Sequence, residues 1–216
     1  MKKDLTELVF IIDRSGSMSG LESDTIGGYN AMLEKQKKEQ GEAVITTVLF
    51  DDKYELLHDR INIRGVEPIT ERDYFVRGST ALLDAVGKTI NKIGRVQKHT
   101  SGSERAERVM FVITTDGMGN ASRKFSREKI REMIMHQKEK YGWEFIFLGA
   151  NIDSAETAES FGIGRDMAAD YNADSEGTRL NYEVISQTVS DIRARRSISK
   201  EWKERIDEDR ERRGGN

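Results

Sequence analysis

The stretch Val9-Phe10-Ile11-Ile12-Asp13-Arg14-Ser15-Gly16-Ser17 decides how the rest of the chain is read. Four consecutive apolar residues of strand-forming type suit a central strand buried on both faces. The chain then turns polar at once, with a carboxylate, two hydroxyls and a glycine in five residues. A buried strand ending in oxygen-rich side chains is what a ligand-binding loop at the edge of an α/β sheet looks like.

Reading outward, the apolar period keeps changing, as it does where strands and helices alternate. Leu5 to Ile12 is a strand. Thr25 to Gln40 carries Ile26, Tyr29, Met32 and Leu33 on one helical face, and Gly41 ends it. Val44 to Phe50 is a strand, and Tyr54 to Ile61 is its hairpin partner across Asp51-Asp52-Lys53. The segment 65–75 contains Pro68 and reads as an irregular connection. Ala81 to Ile93 is helical, and 97–107 is a polar surface loop. Val109 to Thr114 and Trp143 to Leu148 are two more buried strands, separated by a helix over Ser126 to Lys140 with Ser126 as its N-cap. Ser154 to Phe161 and Ser175 to Arg195 are further helices. No internal repeat is present. The pattern predicts an α/β fold with a mostly parallel central sheet, one antiparallel edge strand and helices on both faces. The expected division is one domain over 1–195 and a charged tail over 196–216, helical or disordered.

The 216 residues suit one domain with additions. Hydrophobic residues make up 36% and charged residues 34%, enough for one core under a very polar surface. The net charge of −3 gives no overall basic field for nucleic acid or an anionic membrane, although a local basic patch is compatible with it. Without cysteine there is neither a disulfide framework nor a thiolate ligand, which fits a reducing compartment. No run reaches the roughly 18 apolar residues of a spanning helix, and the apolar run after Lys2-Lys3 is too short for a signal peptide. A cytoplasmic protein with no membrane association and no nucleic-acid partner is expected.

Three polar clusters fall at strand or helix ends: Asp13-Arg14-Ser15-Gly16-Ser17, Gly78-Ser79-Thr80 and Thr115-Asp116-Gly117. Each supplies oxygen and none supplies His or Cys, which is the donor set of a hard cation such as Mg²⁺ or Mn²⁺. The hydroxyls of Ser15, Ser17 and Thr80 can bind without adding charge, while Asp13 and Asp116 neutralise the ion directly or through water. Such a metal stays electrophilic and seeks a carboxylate from outside. Gly16 and Gly117 are read as letting their loops bend sharply.

With these residues the chain resembles a von Willebrand factor type A (vWA) domain, of the intracellular bacterial or phage kind. The metal-ion-dependent adhesion site (MIDAS) of that family combines a DxSxS loop, a distant Thr and a distant Asp. Here they match Asp13, Ser15 and Ser17, then Thr80, then Asp116. The resemblance spans roughly residues 5 to 190 in element order. It implies a Rossmann-like vWA fold and a metal that bridges to an acidic residue of a partner protein. Intracellular members often work beside ATPases or in other complexes. A non-catalytic interaction module is the function so implied.

The alternative is a Mg²⁺-dependent phosphohydrolase with Asp13 as nucleophile, although Ser15 stands where that chemistry usually places a second acid. Gly87-Lys88-Thr89 lacks the upstream glycine of a phosphate loop, since Leu82 stands there. His58, His99 and His136 read as surface residues. Asn151 and Asp153 read as a turn and helix cap, and Gly27-Gly28 as close helix–sheet packing. In the tail, Trp202 is the one feature that suggests docking.

Overall fold

A computed structural model describes residues 1–117, 119 and 121–214. The elements run β1 (Lys2–Asp13), α1 (Glu22–Lys38), β2 (Glu42–Phe50), β3 (Tyr54–Asn62), α2 (Leu82–His99), β4 (Ala106–Thr115), α3 (Arg127–Tyr141), β5 (Glu144–Gly149), α4 (Ser154–Ser160), β6 (Ala168–Asp170), α5 (Ser175–Arg193) and α6 (Glu204–Arg212). The strands form one sheet in the order β3-β2-β1-β4-β5-β6, parallel except for β3, which pairs antiparallel to β2. This is the mostly parallel sheet with one antiparallel edge that the sequence predicts.

β1 is the axis of the sheet, and every residue from Leu5 to Asp13 is buried. Its side chains alternate between two cores. Leu8, Phe10 and Ile12 pack with α1 and α5, whereas Val9 and Ile11 pack with α2 and α3. Burial of this kind contributes roughly 25 cal/mol per Å² of apolar surface, so the two cores are the main stabilising term. The strand order reverses at β1. The chain places β2 and β3 on one side of it and returns to place β4 on the other. The crevice at the carboxyl ends of β1 and β4 is therefore the switch point where α/β sheets bind ligands.

Several local expectations are corrected. α1 begins at Glu22, where Glu22 and Asp24 meet the positive end of the helix dipole. α2 runs on to His99, leaving only 100–105 as a connection. β6 has three residues, too few to leave a periodic signal. Gly28 serves helix–helix rather than helix–sheet packing, since a Cβ there would lie 2.4 Å from the ring of Tyr182 on α5. His58 is buried, not on the surface. The ladder between β2 and β3 shifts register on both sides of Thr47, and His58 Nδ1 lies 3.0 Å from the Thr47 hydroxyl.

The segment after α5 covers the second edge of the sheet. Trp202 Nε1 donates to the carbonyl of Asp166 at 2.7 Å, and Lys203 Nζ donates to that of Ala168 at 2.6 Å. Ile206 of α6 is buried in the same core as α1 and α5. An otherwise open strand edge is thereby closed. No helix among the described residues is long and apolar enough to cross a membrane.

Candidate metal centre

The five residues expected at the site meet at the switch point. Asp13 ends β1, and Thr115 ends the neighbouring β4. The Thr115 hydroxyl donates to Asp13 Oδ2 at 2.6 Å, and the amide of Ser15 donates to Asp13 Oδ1 at 2.7 Å. Ser15 Oγ lies 3.1 Å from Ser17 Oγ and accepts from Thr80 Oγ1 at 2.8 Å. The Ser17 hydroxyl donates to Asp116 Oδ1. Asp13, Ser15 and Asp116 form a buried floor, while Ser17 is exposed and Thr80 half-exposed at the mouth.

The loops are sewn together by the backbone. Arg77 N donates to Arg14 O at 2.9 Å, and Gly16 N donates to Gly78 O at 3.1 Å. This brings Thr80 from a distant segment onto the serine loop. Gly78 has φ +64, a left-handed conformation that favours glycine, and a Cβ there would also force the Asp52 side chain, whose Oδ1 it would meet at 2.2 Å, to move. Gly16 and Gly117 do not have positive φ, which corrects the expectation that they bend their loops through glycine's conformational freedom. Gly117 matters for space instead. A Cβ there would lie 3.8 Å from Ser17 Oγ and 3.9 Å from Thr80 Oγ1, beside the hydroxyl cluster.

The electrostatics of this cluster favour a cation. Burial pushes the Asp13 carboxyl up to about 6, against the bonds from Thr115 and Ser15 that favour its charged form; nearby Asp116 raises it further. Burial also raises Asp116, opposed by the bond from Ser17. Asp116 Oδ2 is buried and has no hydrogen-bond partner among the described residues. Two crowded carboxylates, three hydroxyls and an orphaned carboxylate oxygen fit a small, hard divalent ion. No three His, Asp or Glu side chains gather as a metal cluster among the described residues, so the hydroxyls are essential to this fit.

Sequence reasoning missed the supports. Tyr74 donates from its hydroxyl to the carbonyl of Asp13 at 2.6 Å. Arg14, between Asp13 and Ser15, points inward and is fully buried. It donates to Asp51 Oδ2 at 3.1 Å and to Glu55 Oε2 at 2.6 Å. Arg77 also reaches Asp51, and the exposed ring of Phe75 lies under both guanidiniums, 5.5 and 5.2 Å from their centres. No motif marks these partners. Asp153 caps α4 by accepting from Glu156 N at 2.7 Å, and Asn151 stands exposed with φ +57.

The fold is that of vWA domains. The chain is similar to a von Willebrand factor type A structure from Catenulispora acidiphila, with TM-score 0.58 and 10% identity over 86% of this chain and 42% of that one. It is similar to the manganese-loaded TRAP protein of Plasmodium vivax, with TM-score 0.56 and 15% identity over 83% and 73%. It is also similar to proximal thread matrix protein 1 of the mussel byssus with a zinc-occupied MIDAS motif, with TM-score 0.57 and 14% identity over 86% and 46%. The chain spans about half the length of the mussel protein. No protein-family model and no curated protein matches by sequence.

Proposed function

We propose that this chain is a non-catalytic, metal-dependent protein interaction module with a complete MIDAS, acting in the cytoplasm. Ser15, Ser17 and Thr80 would hold Mg²⁺ or Mn²⁺ directly, with Asp13 and Asp116 balancing its charge, in part through water. The metal would supply Lewis acidity toward one carboxylate from a partner protein, an ATPase or another complex subunit. The observation that carries this reading is the convergence of three hydroxyls on a buried carboxylate whose second oxygen has no partner.

Manganese and zinc in the related folds support a divalent ion here. The absence of cysteine suits a reducing compartment. Against the phosphohydrolase alternative, both oxygens of Asp13 are held by hydrogen bonds, and the residue is buried beneath Ser15 and Thr115 rather than presented for attack.

The test is an affinity capture from a lysate of the source cells, with and without EDTA, using Asp116→Ala as control. Capture of one protein that EDTA and the substitution both abolish is expected. Turnover of a generic phosphoester with Mg²⁺, lost in Asp13→Asn, would overturn the reading.

A further inference from the structure

At the opposite end of the sheet, residues of α2 and α3 line a concavity of about 670 Å³ at the amino ends of β4 and β5. β4 separates it from the metal centre by roughly 30 Å, at about 3.3 Å per residue. Arg95 and Lys98 of α2, Arg105 ahead of β4 and Lys140 of α3 line it, and Ile90 and the buried Trp143 contribute an apolar wall.

Among the described residues none of these four cations is paired with a carboxylate, in a chain whose net charge is −3. Lys140 lies over the ring of Tyr141 at 5.4 Å, and Arg105 donates one terminal nitrogen to the carbonyl of Thr100 at 3.1 Å. The one acid of the concavity, Glu107, is engaged by Arg195 at 2.9 Å and by the amide of Asp4 at 3.1 Å.

We propose that this concavity is a binding site for a nucleotide-sized organic phosphate. Four cations around one opening call for a ligand with two or more negative charges, and guanidinium forks suit phosphate oxygens. The indole wall calls for an aromatic or apolar body beside that charge, which inorganic phosphate lacks. The volume lies within the roughly 300–1,000 Å³ of small-ligand sites. The proposal is independent of the metal centre.

The test uses the full chain carrying Trp202→Phe, which leaves Trp143 as its one tryptophan, in EDTA to silence the metal centre. ADP should change Trp143 emission saturably. Lys98→Gln combined with Lys140→Gln, both at exposed positions, should weaken binding by about tenfold or more, the change expected when charged contacts to phosphate are lost. Thr80→Ala should bind ADP as the parent does, whatever the fate of the metal reading. Absence of a saturable response would overturn the proposal, as would unchanged affinity in the double variant. Pyrophosphate binding as tightly as ADP would remove the role of the apolar wall and overturn it too. Tighter binding of a poly-aspartate peptide or single-stranded DNA, in competition with ADP, would assign the surface to a macromolecule instead.

Discussion

Arg14 and Asp51 form an ion pair at 3.1 Å in which neither side chain is exposed to solvent. It lies directly beneath the serine loop and ties that loop to the turn after β2. Removing one member of a buried pair strands the other, which costs about 3–5 kcal/mol. Arg14→Met keeps most of the volume and removes the charge, and Arg77 remains to moderate the loss. A destabilisation of about 3 kcal/mol is expected in urea unfolding. A change below about 1 kcal/mol would show that Arg77 alone satisfies Asp51.

The same pair gives the fold an acid limb. Burial alone would raise the Asp51 carboxyl. The bonds from Arg77 and from the Lys53 amide, with the charges of Arg14 and Arg77, outweigh it and hold the group below its ordinary 3.8. A depressed carboxyl contributes stability that is present above its unfolded value and lost as pH falls through the lower folded value. Stability should therefore drop as pH falls below about 4, and Asp51→Asn should flatten that part of the profile. An identical slope in the variant would exclude Asp51 as its source.

Glu7 has the opposite sign. It is buried in β1, and burial raises it above 4.5 despite Arg60, whose Nε donates to it at 2.7 Å, and Gln97, which also donates to it. Its contribution is fully present below the unfolded value and is lost as pH rises through the folded one. At neutral pH the charge is a net cost, so Glu7→Gln should leave the melting temperature unchanged or raise it. Glu7→Leu should lower it, because Arg60 and Gln97 then lose their acceptor. Melting curves of the two variants side by side distinguish charge from hydrogen bonding.

Two buried tyrosines should respond differently to loss of the hydroxyl. Tyr74 donates to the carbonyl of Asp13 at 2.6 Å, whereas the hydroxyl of Tyr182 has no partner among the described residues. Tyr74→Phe should cost about 1–2 kcal/mol, and Tyr182→Phe should be close to neutral, since it removes a polar atom already buried without a bond. Equal losses in denaturant unfolding would mean that an ordered water serves Tyr182.

The buried runs Val9–Ile12 and Val109–Thr114 made the central strands legible, because a strand covered on both faces must be apolar throughout. The residues of the candidate site were legible because their chemistry sits in short contiguous motifs at strand and helix ends. What escaped was set by long-range contact. Nothing in the sequence around Arg14 marks its burial, which is set when Asp51 and Glu55 of the β2–β3 hairpin are brought against it. His58 reads as exposed until the register shift at Thr47 turns it inward. The segment after α5 reads as a charged tail, and only the carbonyls of Asp166 and Ala168 reveal what Trp202 and Lys203 bind. β6 is too short for any period to show.

Gly117 gives the sharpest test of the metal reading itself. If the hydroxyl cluster holds an ion, saturating Mg²⁺ or Mn²⁺ stabilises the fold by about 2.7 kcal/mol at one hundred times its dissociation constant. For a chain of this size that is a rise of roughly 5–10 °C in melting temperature. Thr80→Ala removes a ligand oxygen and should abolish most of the rise while leaving the metal-free melting temperature nearly unchanged. Gly117→Val keeps every donor, yet its side chain grows from a Cβ 3.8 Å from Ser17 Oγ and 3.9 Å from Thr80 Oγ1. It should block the ion by occupying its space. A full metal-dependent rise in Gly117→Val would place the ion elsewhere, because no ligand has been removed and only the space beside the hydroxyls has changed.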